Sequence, residues 1–302
     1  MELAIQPVST IIVNHNAGTL LIDCVRAALA QAKQVIVVDN NSTDSSMQML
    51  AVQFPSDPQL VMHITGQNLG FAAGCNTGLG LATQTQILFL NPDCILGSGA
   101  LQRMVEVLNS DSNVGMVGGL LNNQDGSEQG GGRRAVPTPW RSLVRAFGLV
   151  RLSHRWPKLF FDFHLHKQPL PIAPIEVEAI SGALMLVRKE AVDKVGLWDE
   201  AYFLHCEDLD WCMRFRQNGL KILFVSDARV MHHQGHCSRA RPLFVEWHKH
   251  KGMIRFYHKF FKNQYPGVLM WLVNIGVWFR FALVSLHHSV RWVSKRLGGG
   301  RE

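Results

Sequence analysis

Three carboxylates stand within four residues of one another, at Glu207, Asp208 and Asp210. Apolar side chains recur at helical spacing in the residues that follow, which predicts a helix that begins near Glu207 and buries one face. Acidic residues at a helix start are stabilised by the helix dipole, so a structural role explains them as well as a chemical one does. The chemical alternative is a general base, which takes a proton from an attacking hydroxyl group.

Two polar segments of the amino-terminal half follow predicted strands and can face a ligand. Asp39 ends a strand over residues 34–39. Such an aspartate either accepts hydrogen bonds from a nucleotide or caps the following helix. Residues 66–78 are rich in glycine where a strand passes into a helix, which lets the backbone approach a phosphate or sugar closely. This segment is neither a Walker loop nor a G-x-G-x-x-G sequence, so its spacing alone specifies no ligand.

A third polar strand end carries Asn91 and Asp93 on either side of a proline, and His232 and His233 follow a later predicted strand. The Asp93 carboxylate can bind Mg²⁺ or Mn²⁺, which prefer oxygen ligands, or it can simply form a turn. Imidazole is the commonest metal ligand in proteins, although a histidine near a strand end is often structural. Asp93 with one imidazole suits Mg²⁺ or Mn²⁺ better than a closed zinc site.

Strands and helices that alternate along the first 120 residues must position these side chains. The pattern predicts a mostly parallel α/β sheet with helices on both faces, in which ligands bind outside the carboxyl ends of the strands. The predicted strands are 9–14, 34–39, 60–65, 86–90 and 114–118, and the predicted helices between them are 18–31, 70–82 and 97–109. Later strands are predicted at 176–187, 221–225 and 229–232, after an irregular stretch over 133–174 with one or two short helices.

The net charge of +7 favours an anionic partner, such as a nucleic acid, an anionic lipid or a phosphorylated small molecule. Basic residues concentrate at 249–262 and 291–301, beside aromatic and apolar residues. This arrangement favours a membrane surface over a nucleic-acid groove. The six cysteines include no C-x-x-C pair and are expected to be thiols in the cytosol, and the amino terminus shows no signal peptide.

The carboxyl-terminal residues 241–302 differ in character from residues 1–240, which we predict to form one globular domain. A basic, aromatic helix is predicted over 242–261, and an apolar stretch over 267–286 contains Arg280. A charge inside a membrane-spanning helix is costly, so an interfacial helix or hairpin is favoured over a clean span. The alternative is a buried helix of the globular domain.

Six ordered motifs together resemble glycosyltransferase family 2, most closely its rhamnosyltransferase-type branch in the synthesis of bacterial surface polysaccharides. The resemblance covers about residues 8–240. The motifs are VVDNNSTD at 37–44, NLGFAAGCNTG at 68–78, LNPD at 90–93, SGA at 181–183, GLWDE at 196–200 and FLHCEDLD at 203–210.

The resemblance implies a GT-A fold and a donor that is a nucleotide-diphosphate sugar. It implies that Asp208 is the catalytic base with Glu207 beside it, whereas Asp210 is structural. Asp39 would contact the nucleotide base, with other donor-side roles for Asn41, Ser42, Asn68, Gly70 and Asn91. Asp93 matches the last carboxylate of the D-x-D metal motif, whose first position is Asn91 here. His232 or His233 matches a metal or phosphate contact, and the acceptor side would carry Gly182, Trp198 and Asp199.

The resemblance therefore implies that the protein is an inverting glycosyltransferase. We expect it at the cytoplasmic face of a bacterial inner membrane, as a peripheral or monotopic protein. The expected reaction transfers a sugar from a dTDP- or UDP-sugar to a polyprenyl-diphosphate-linked or other glycan acceptor, and L-rhamnose is the sugar expected before any other. The expected cofactor is Mg²⁺ or Mn²⁺, and no nucleic acid is expected as a partner. The alternatives are another hexosyl- or galactofuranosyl-transferase, and a non-catalytic sugar-nucleotide-binding or membrane scaffold protein.

Overall fold

A computed structural model describes residues 4–233 and 241–298 and divides the chain into two compact units. The first unit contains Met1–Val136, Phe163–Phe203 and Glu207–Cys237. The second contains Pro137–Asp162, Leu204–Cys206 and Ser238–Glu302. The second unit thus includes two short segments from the middle of the chain, 137–162 and 204–206, and the boundary at residue 240 stays a prediction.

The first unit is built on a nine-stranded sheet. Its strands are β1 (Gln6–Asn14), β2 (Ala32–Asp39), β3 (Leu60–Ile64), β4 (Gln86–Leu90), β5 (Cys94–Leu96), β6 (Val114–Asn122), β8 (Ile175–Glu176), β10 (Leu184–Arg188) and β11 (Lys221–His232). The main strand order is β3-β2-β1-β4-β10-β6-β11-β5, with β8 beside β11. β7 (Arg133–Arg134) and β9 (Ala179–Ile180) form a separate pair. Six strands of the large sheet, β1 to β4, β6 and β11, run in one direction, which confirms the predicted α/β class.

Helices pack on the sheet and bury their apolar faces against it. They are α1 (Leu20–Leu29), α2 (Ser46–Gln53), α3 (Phe71–Leu81), α4 (Ala100–Asn109), α6 (Lys189–Val195) and α7 (Glu207–Gln217). Residues 35–38 of β2 are all fully buried, as expected for a strand with both faces covered. α4 buries Leu101, Met104 and Leu108 at helical spacing, which adds to the same core.

Three elements near the candidate site differ from the prediction. β5 is too short to show a period in the sequence, yet it pairs with the end of β11. β11 is one strand and not two, because a bulge between Val225 and Arg229 interrupts its register without ending it. α2 begins after the polar turn that follows β2, and its buried face is only Ser46 and Leu50.

The backbone before α7 has an unusual conformation that sets where this helix begins. His205 and Cys206 both lie in the left-handed region, with φ of 69° and 71°. Residues other than glycine seldom adopt this conformation, and here two of them are consecutive. Nearby, the Phe71 amide donates to the Phe203 carbonyl oxygen at 2.9 Å, which fastens the start of α3 to the chain just before this turn.

Gly70 permits that close approach, and its replacement gives a stability prediction. A Cβ at Gly70 would lie 2.5 Å from the Phe203 carbonyl oxygen, and its φ of +87° is unfavourable for other residues. We therefore expect Gly70→Ala to lower the free energy of unfolding by at least about 2 kcal/mol, measured by urea denaturation.

Gly80 is the matched control because it lies in the helix that Gly70 precedes, α3, with an ordinary φ and with open space around the point that a Cβ would occupy. Gly80→Ala should raise the free energy of unfolding by about 0.5–1 kcal/mol. Equal denaturation midpoints for the two variants would contradict the role given to Gly70.

The second unit is helical. Its helices are α5 (Pro139–Ala146), α8 (Pro242–Phe261) and α9 (Gly267–Gly298). α8 has the predicted bounds, whereas α9 continues well beyond the predicted residue 286. Among the described residues, Gly267–Val290 is the one helical stretch long and apolar enough to cross a membrane. Within its most apolar 18 residues, 11% are buried. The side chains of the basic segment 291–301, and the histidine at 236, lie outside what the structure describes.

Candidate active site

Asp208 is the second residue of α7, and three hydrogen bonds hold its carboxylate. The Gly182 amide donates to Oδ2 at 3.2 Å, and the Leu209 amide donates to Oδ1 at 2.8 Å. The Arg134 guanidinium also donates to Oδ2 and forms an ion pair there. The Asp208 side chain keeps 15% of its surface exposed, so its carboxylate is fixed in position but still open to a substrate.

Arg134 reaches Asp208 because β7 pairs with β9, so that Arg134 faces Ala179 in the register. Gly182 lies just after β9, and a Cβ there would lie 3.3 Å from the Asp208 Cβ. The sequence does not predict this arrangement, because a two-residue strand has no periodicity. The one available signal is a pair of arginines, Arg133 and Arg134, at the end of a glycine-rich segment.

The two arginines have different roles. Arg133 is almost fully buried, and its guanidinium forms two hydrogen bonds with the Glu128 carboxylate, at 2.8 and 3.0 Å. It also donates to the Gln168 carbonyl oxygen at 2.8 Å. Arg133 therefore anchors this segment, and Arg134 is the arginine that reaches the candidate base.

The other two acids of the cluster are buried. Asp210 is fully buried, and its Oδ1 accepts from Arg214 Nε at 2.7 Å, one turn along α7, in keeping with its predicted structural role. Glu207 is 6% exposed. Burial, and next the charge of Glu207, raise the pKa of the Cys75 thiol on α3 well above its usual range. Asp208 is thus the acid of this cluster that offers the most surface to an acceptor.

Trp198 is part of a buried aromatic cluster beneath α7. It is 2% exposed and stacks on Trp211 with ring centroids 4.2 Å apart. Phe71 and Phe89 pack against it in edge-to-face geometry, with centroids at 5.8 and 5.1 Å. Trp198 therefore supports α7 from beneath, and its acceptor-side role stays a prediction. Asp199 accepts from the Ala201 amide at 3.1 Å and so shapes the turn that follows.

Asp39 is buried at the carboxyl end of β2, where it organises the polar turn. Its Oδ1 accepts from Asn14 Nδ2 at 2.8 Å and from the Ser42 hydroxyl at 2.6 Å. Its Oδ2 accepts from the Ser42 amide at 3.0 Å. Asn14 ends the neighbouring strand β1, and the parallel register that sets it opposite Asp39 explains this contact between residues distant in sequence.

The remaining predicted donor residues lie on nearby loops. Asn41 is exposed and in the left-handed region, with φ of 60°. Asn68 is also exposed, and its side chain accepts from the Gly70 amide at 3.0 Å. Asn91 is half-buried, and its backbone amide donates to the Ala183 carbonyl oxygen at 3.0 Å.

Asp93 and His232 come together because β5 pairs antiparallel with β11, where His232 faces Cys94 in the register. The His232 Nε2 atom lies 3.2 Å from Asp93 Oδ1, and both side chains are more than nine-tenths buried. Adjacent ligands of an octahedral Mg²⁺ or Mn²⁺ ion lie about 3 Å apart, so this pair fits such an ion.

Cys94 completes a group of three potential ligands whose ligand atoms lie within 4.8 Å of one another. Burial, and next the charge of Asp93, raise the pKa of its thiol well above the usual range. The thiol donates to the Ala183 carbonyl oxygen at 3.7 Å. A neutral thiol is a poor ligand for hard cations, so Asp93 and His232 are the ligands that suit Mg²⁺ or Mn²⁺.

His233 is not in this group. Gln124 Nε2 donates to His233 Nδ1 at 2.7 Å, and the His233 backbone amide donates to the Asp93 carbonyl oxygen at 2.9 Å. Successive side chains of a strand point to opposite faces, so only one of two adjacent histidines can face Asp93. Of the two histidines, His232 is the one whose side chain lies beside Asp93.

The α/β fold that carries Asp208 and the separate Asp93–His232 pair is of the GT-A type. The fold is similar to that of the solved structure of GalNAc-T7 with UDP, GalNAc and Mn²⁺, with a TM-score of 0.56 and 15% sequence identity. That likeness covers 74% of this chain and 43% of the GalNAc-T7 chain. The chain belongs to Glycosyl transferase family 2, whose sequence profile matches residues 9–196.

Several relatives of this chain are glycosyltransferases as well. The N-acetylglucosaminyl-diphospho-decaprenol L-rhamnosyltransferase of Mycobacterium tuberculosis is 26% identical over 279 residues, which cover 88% of each chain. The rhamnosyltransferase WbbL of Escherichia coli K12 is 24% identical over 53% of this chain and 56% of its own. A Haloferax volcanii hexosyltransferase of low-salt glycan biosynthesis is 22% identical over 77% of this chain and 69% of its own. The predicted family and enzyme class are confirmed.

Proposed function

We propose that this enzyme transfers L-rhamnose from a dTDP- or UDP-linked donor to a polyprenyl-diphosphate-linked glycan acceptor during synthesis of a bacterial surface polysaccharide. The observation that carries the chemistry is the position of Asp208, a partly exposed carboxylate held on both oxygens at the start of α7. The sugar and the acceptor rest on the similarity to the mycobacterial enzyme over 88% of both chains.

In the proposed reaction, an acceptor hydroxyl oxygen attacks the anomeric carbon of the donor sugar. Asp208 takes the hydroxyl proton while the bond from the anomeric carbon to the diphosphate oxygen breaks. A single displacement of this kind inverts the anomeric centre. Arg134 and the Gly182 amide orient the Asp208 carboxylate toward the attacking hydroxyl. The negative charge that develops on the leaving nucleoside diphosphate needs a cation nearby.

Asp93 and His232 would hold that cation. A bound Mg²⁺ or Mn²⁺ would stabilise the diphosphate as it departs. The 3.2 Å separation of Nε2 and Oδ1 and the burial of both side chains support this assignment. We propose Glu207 as the neighbour of the base and His233 as a further metal or phosphate contact. The proposed donor-side residues are Asp39, Asn41, Ser42, Asn68, Gly70 and Asn91, and the proposed acceptor-side residues are Gly182, Trp198 and Asp199.

The second candidate function is transfer of another hexose or of galactofuranose by the same residues. The similarity to the hexosyltransferase of Haloferax volcanii over 77% of this chain favours it. The two functions share the base and the cation site and differ only in the shape of the sugar pocket.

We also propose that the protein acts at the cytoplasmic face of the inner membrane, held by α9. The apolar, largely exposed stretch Gly267–Val290 supports this location. A lipid-linked acceptor would require it, because the acceptor diphosphate stays at the membrane surface.

An assay of the full-length protein with a panel of nucleotide sugars tests the proposed function. A synthetic polyprenyl-diphosphate N-acetylglucosamine serves as acceptor, with Mg²⁺, Mn²⁺ or EDTA in parallel reactions. We expect turnover with dTDP-rhamnose, loss of turnover with EDTA, and a product of inverted anomeric configuration. Turnover with a different sugar alone would select the second candidate, and a retained configuration would contradict the single displacement.

A further inference from the structure

Both polar atoms of the Gln129 side-chain amide contact His232. Its Oε1 lies 2.5 Å from His232 Nδ1, and its Nε2 lies 3.5 Å from the His232 carbonyl oxygen. Nε2 also donates to Asn123 Oδ1 at 3.2 Å. Gln129 is 3% exposed, so these bonds form in an environment from which water is largely excluded.

The partners of Gln129 fix which way its amide points. A backbone carbonyl can only accept, so the nitrogen of the amide must face the His232 carbonyl oxygen and the oxygen must face His232 Nδ1. An amide oxygen only accepts, so Nδ1 must carry a proton. Whenever the ring is neutral, its lone pair is then at Nε2, the atom that faces Asp93 Oδ1 at 3.2 Å. A cation between these two atoms, either a proton on Nε2 or a divalent metal ion, satisfies both of them.

The backbone around Gln129 is also held firmly. The Gln129 amide donates to the Leu121 carbonyl oxygen at 2.8 Å. The residue before it, Glu128, forms the buried ion pair with Arg133. Gln129 is therefore placed by β6 on one side and by the Arg133 anchor on the other, so it has little freedom to turn away from His232.

We propose that Gln129 is a positioning residue for the cation site. It holds His232 in the Nδ1-protonated tautomer, so that Nε2 is free to bind a divalent ion together with Asp93. Partners of this kind raise metal affinity by fixing ring orientation and tautomer. The part of this inference that concerns metal binding rests on the proposed function, and the part that concerns the tautomer does not.

The first test is a titration of the protein with Mn²⁺ alone, in which electron paramagnetic resonance measures the concentration of free Mn²⁺ at each step. We expect Gln129→Met to weaken Mn²⁺ binding by about 10- to 100-fold. Gln129→Glu keeps an acceptor for Nδ1–H and should bind Mn²⁺ within a few-fold of the unmodified protein. Gln124→Met removes the equivalent amide contact of His233 and should have no effect. Equal affinities for Gln129→Met and the unmodified protein would overturn the inference.

The second test is independent of metal and of sugar transfer. Nitrogen-15 NMR of the metal-free protein at about pH 9, where ordinary imidazoles are neutral, reports which ring nitrogen of His232 carries the proton. We expect protonated Nδ1 in the unmodified protein and in Gln129→Glu, and a mixture of tautomers in Gln129→Met. An unprotonated Nδ1 in the unmodified protein would overturn the proposal even if the enzyme transfers sugar. Absence of transfer with the expected tautomer would contradict the proposed function alone.

Discussion

Replacing Asp208 by asparagine is expected to lower the rate of sugar transfer by about 10²- to 10⁴-fold, because the amide cannot accept the proton of the attacking hydroxyl. The asparagine side chain has the same shape, and its oxygen can still accept from Arg134 and from the Gly182 amide. The amide group would then face the Leu209 amide, so one hydrogen bond is lost and the fold is kept.

Two measurements separate a catalytic role of Asp208 from a structural one. Isothermal titration with UDP and dTDP should show that Asp208→Asn binds the nucleotide as the unmodified protein does. Asp227→Asn is the matched control, because this exposed carboxylate pairs with Arg103 at 2.8 Å outside the site and its loss should leave turnover unchanged. Turnover of Asp208→Asn close to that of the unmodified enzyme would exclude Asp208 as the base.

The parts of the fold that were predictable from sequence are those with a sustained local pattern. β1, β2 and β4 contain apolar runs, and α8 is a long basic and aromatic segment, so their bounds agree closely with the prediction. β5, β7 and β9 are two or three residues long and show no period. Such strands exist only because a partner strand is present, and a partner distant in sequence leaves no local signal.

The difference between local sequence patterns and long-range strand pairing also explains which site residues could be predicted. Asp93 and His232 are chemically distinctive residues at strand ends, so each was predictable, and the structure adds that β5 brings them together. Arg134 and Gln129 act on residues 74 and 103 positions away, through strand pairing that the sequence does not display. Gln129 also resembles any polar loop residue until its burial is known.

Burial is a second property that composition does not predict. Trp198 was predictable as an aromatic residue close to the acidic cluster, but composition does not say whether a tryptophan faces solvent. Its stacking on Trp211 places it under α7, where it supports the helix that carries Asp208. One sequence motif can therefore contain buried supporting residues as well as exposed ones, and only the fold distinguishes them.

Removing the exposed apolar side chains of α9 should release the protein from membranes. Trp271, Phe279 and Leu286 are 62%, 64% and 62% exposed, whereas Met270 and Val273 on the same helix are almost fully buried. Replacing the three exposed residues by glutamine keeps helix propensity and the buried contacts. Burying a large apolar side chain is worth about 1.5–3 kcal/mol, so the triple variant should lose about 5 kcal/mol of membrane affinity.

That loss corresponds to a decrease in partitioning on the order of 10³-fold, which should move the protein from the membrane pellet to the supernatant after ultracentrifugation. The matched control replaces Val52, Met62 and Ile64, which are exposed on the first unit, and should stay in the pellet. Arg280 lies within the apolar stretch and donates to His250 Nε2 on α8 at 3.2 Å. This partner reduces the cost of the charge without removing it, so α9 is expected to lie at the headgroup region. A triple variant that stays in the pellet would show that α9 is not the anchor.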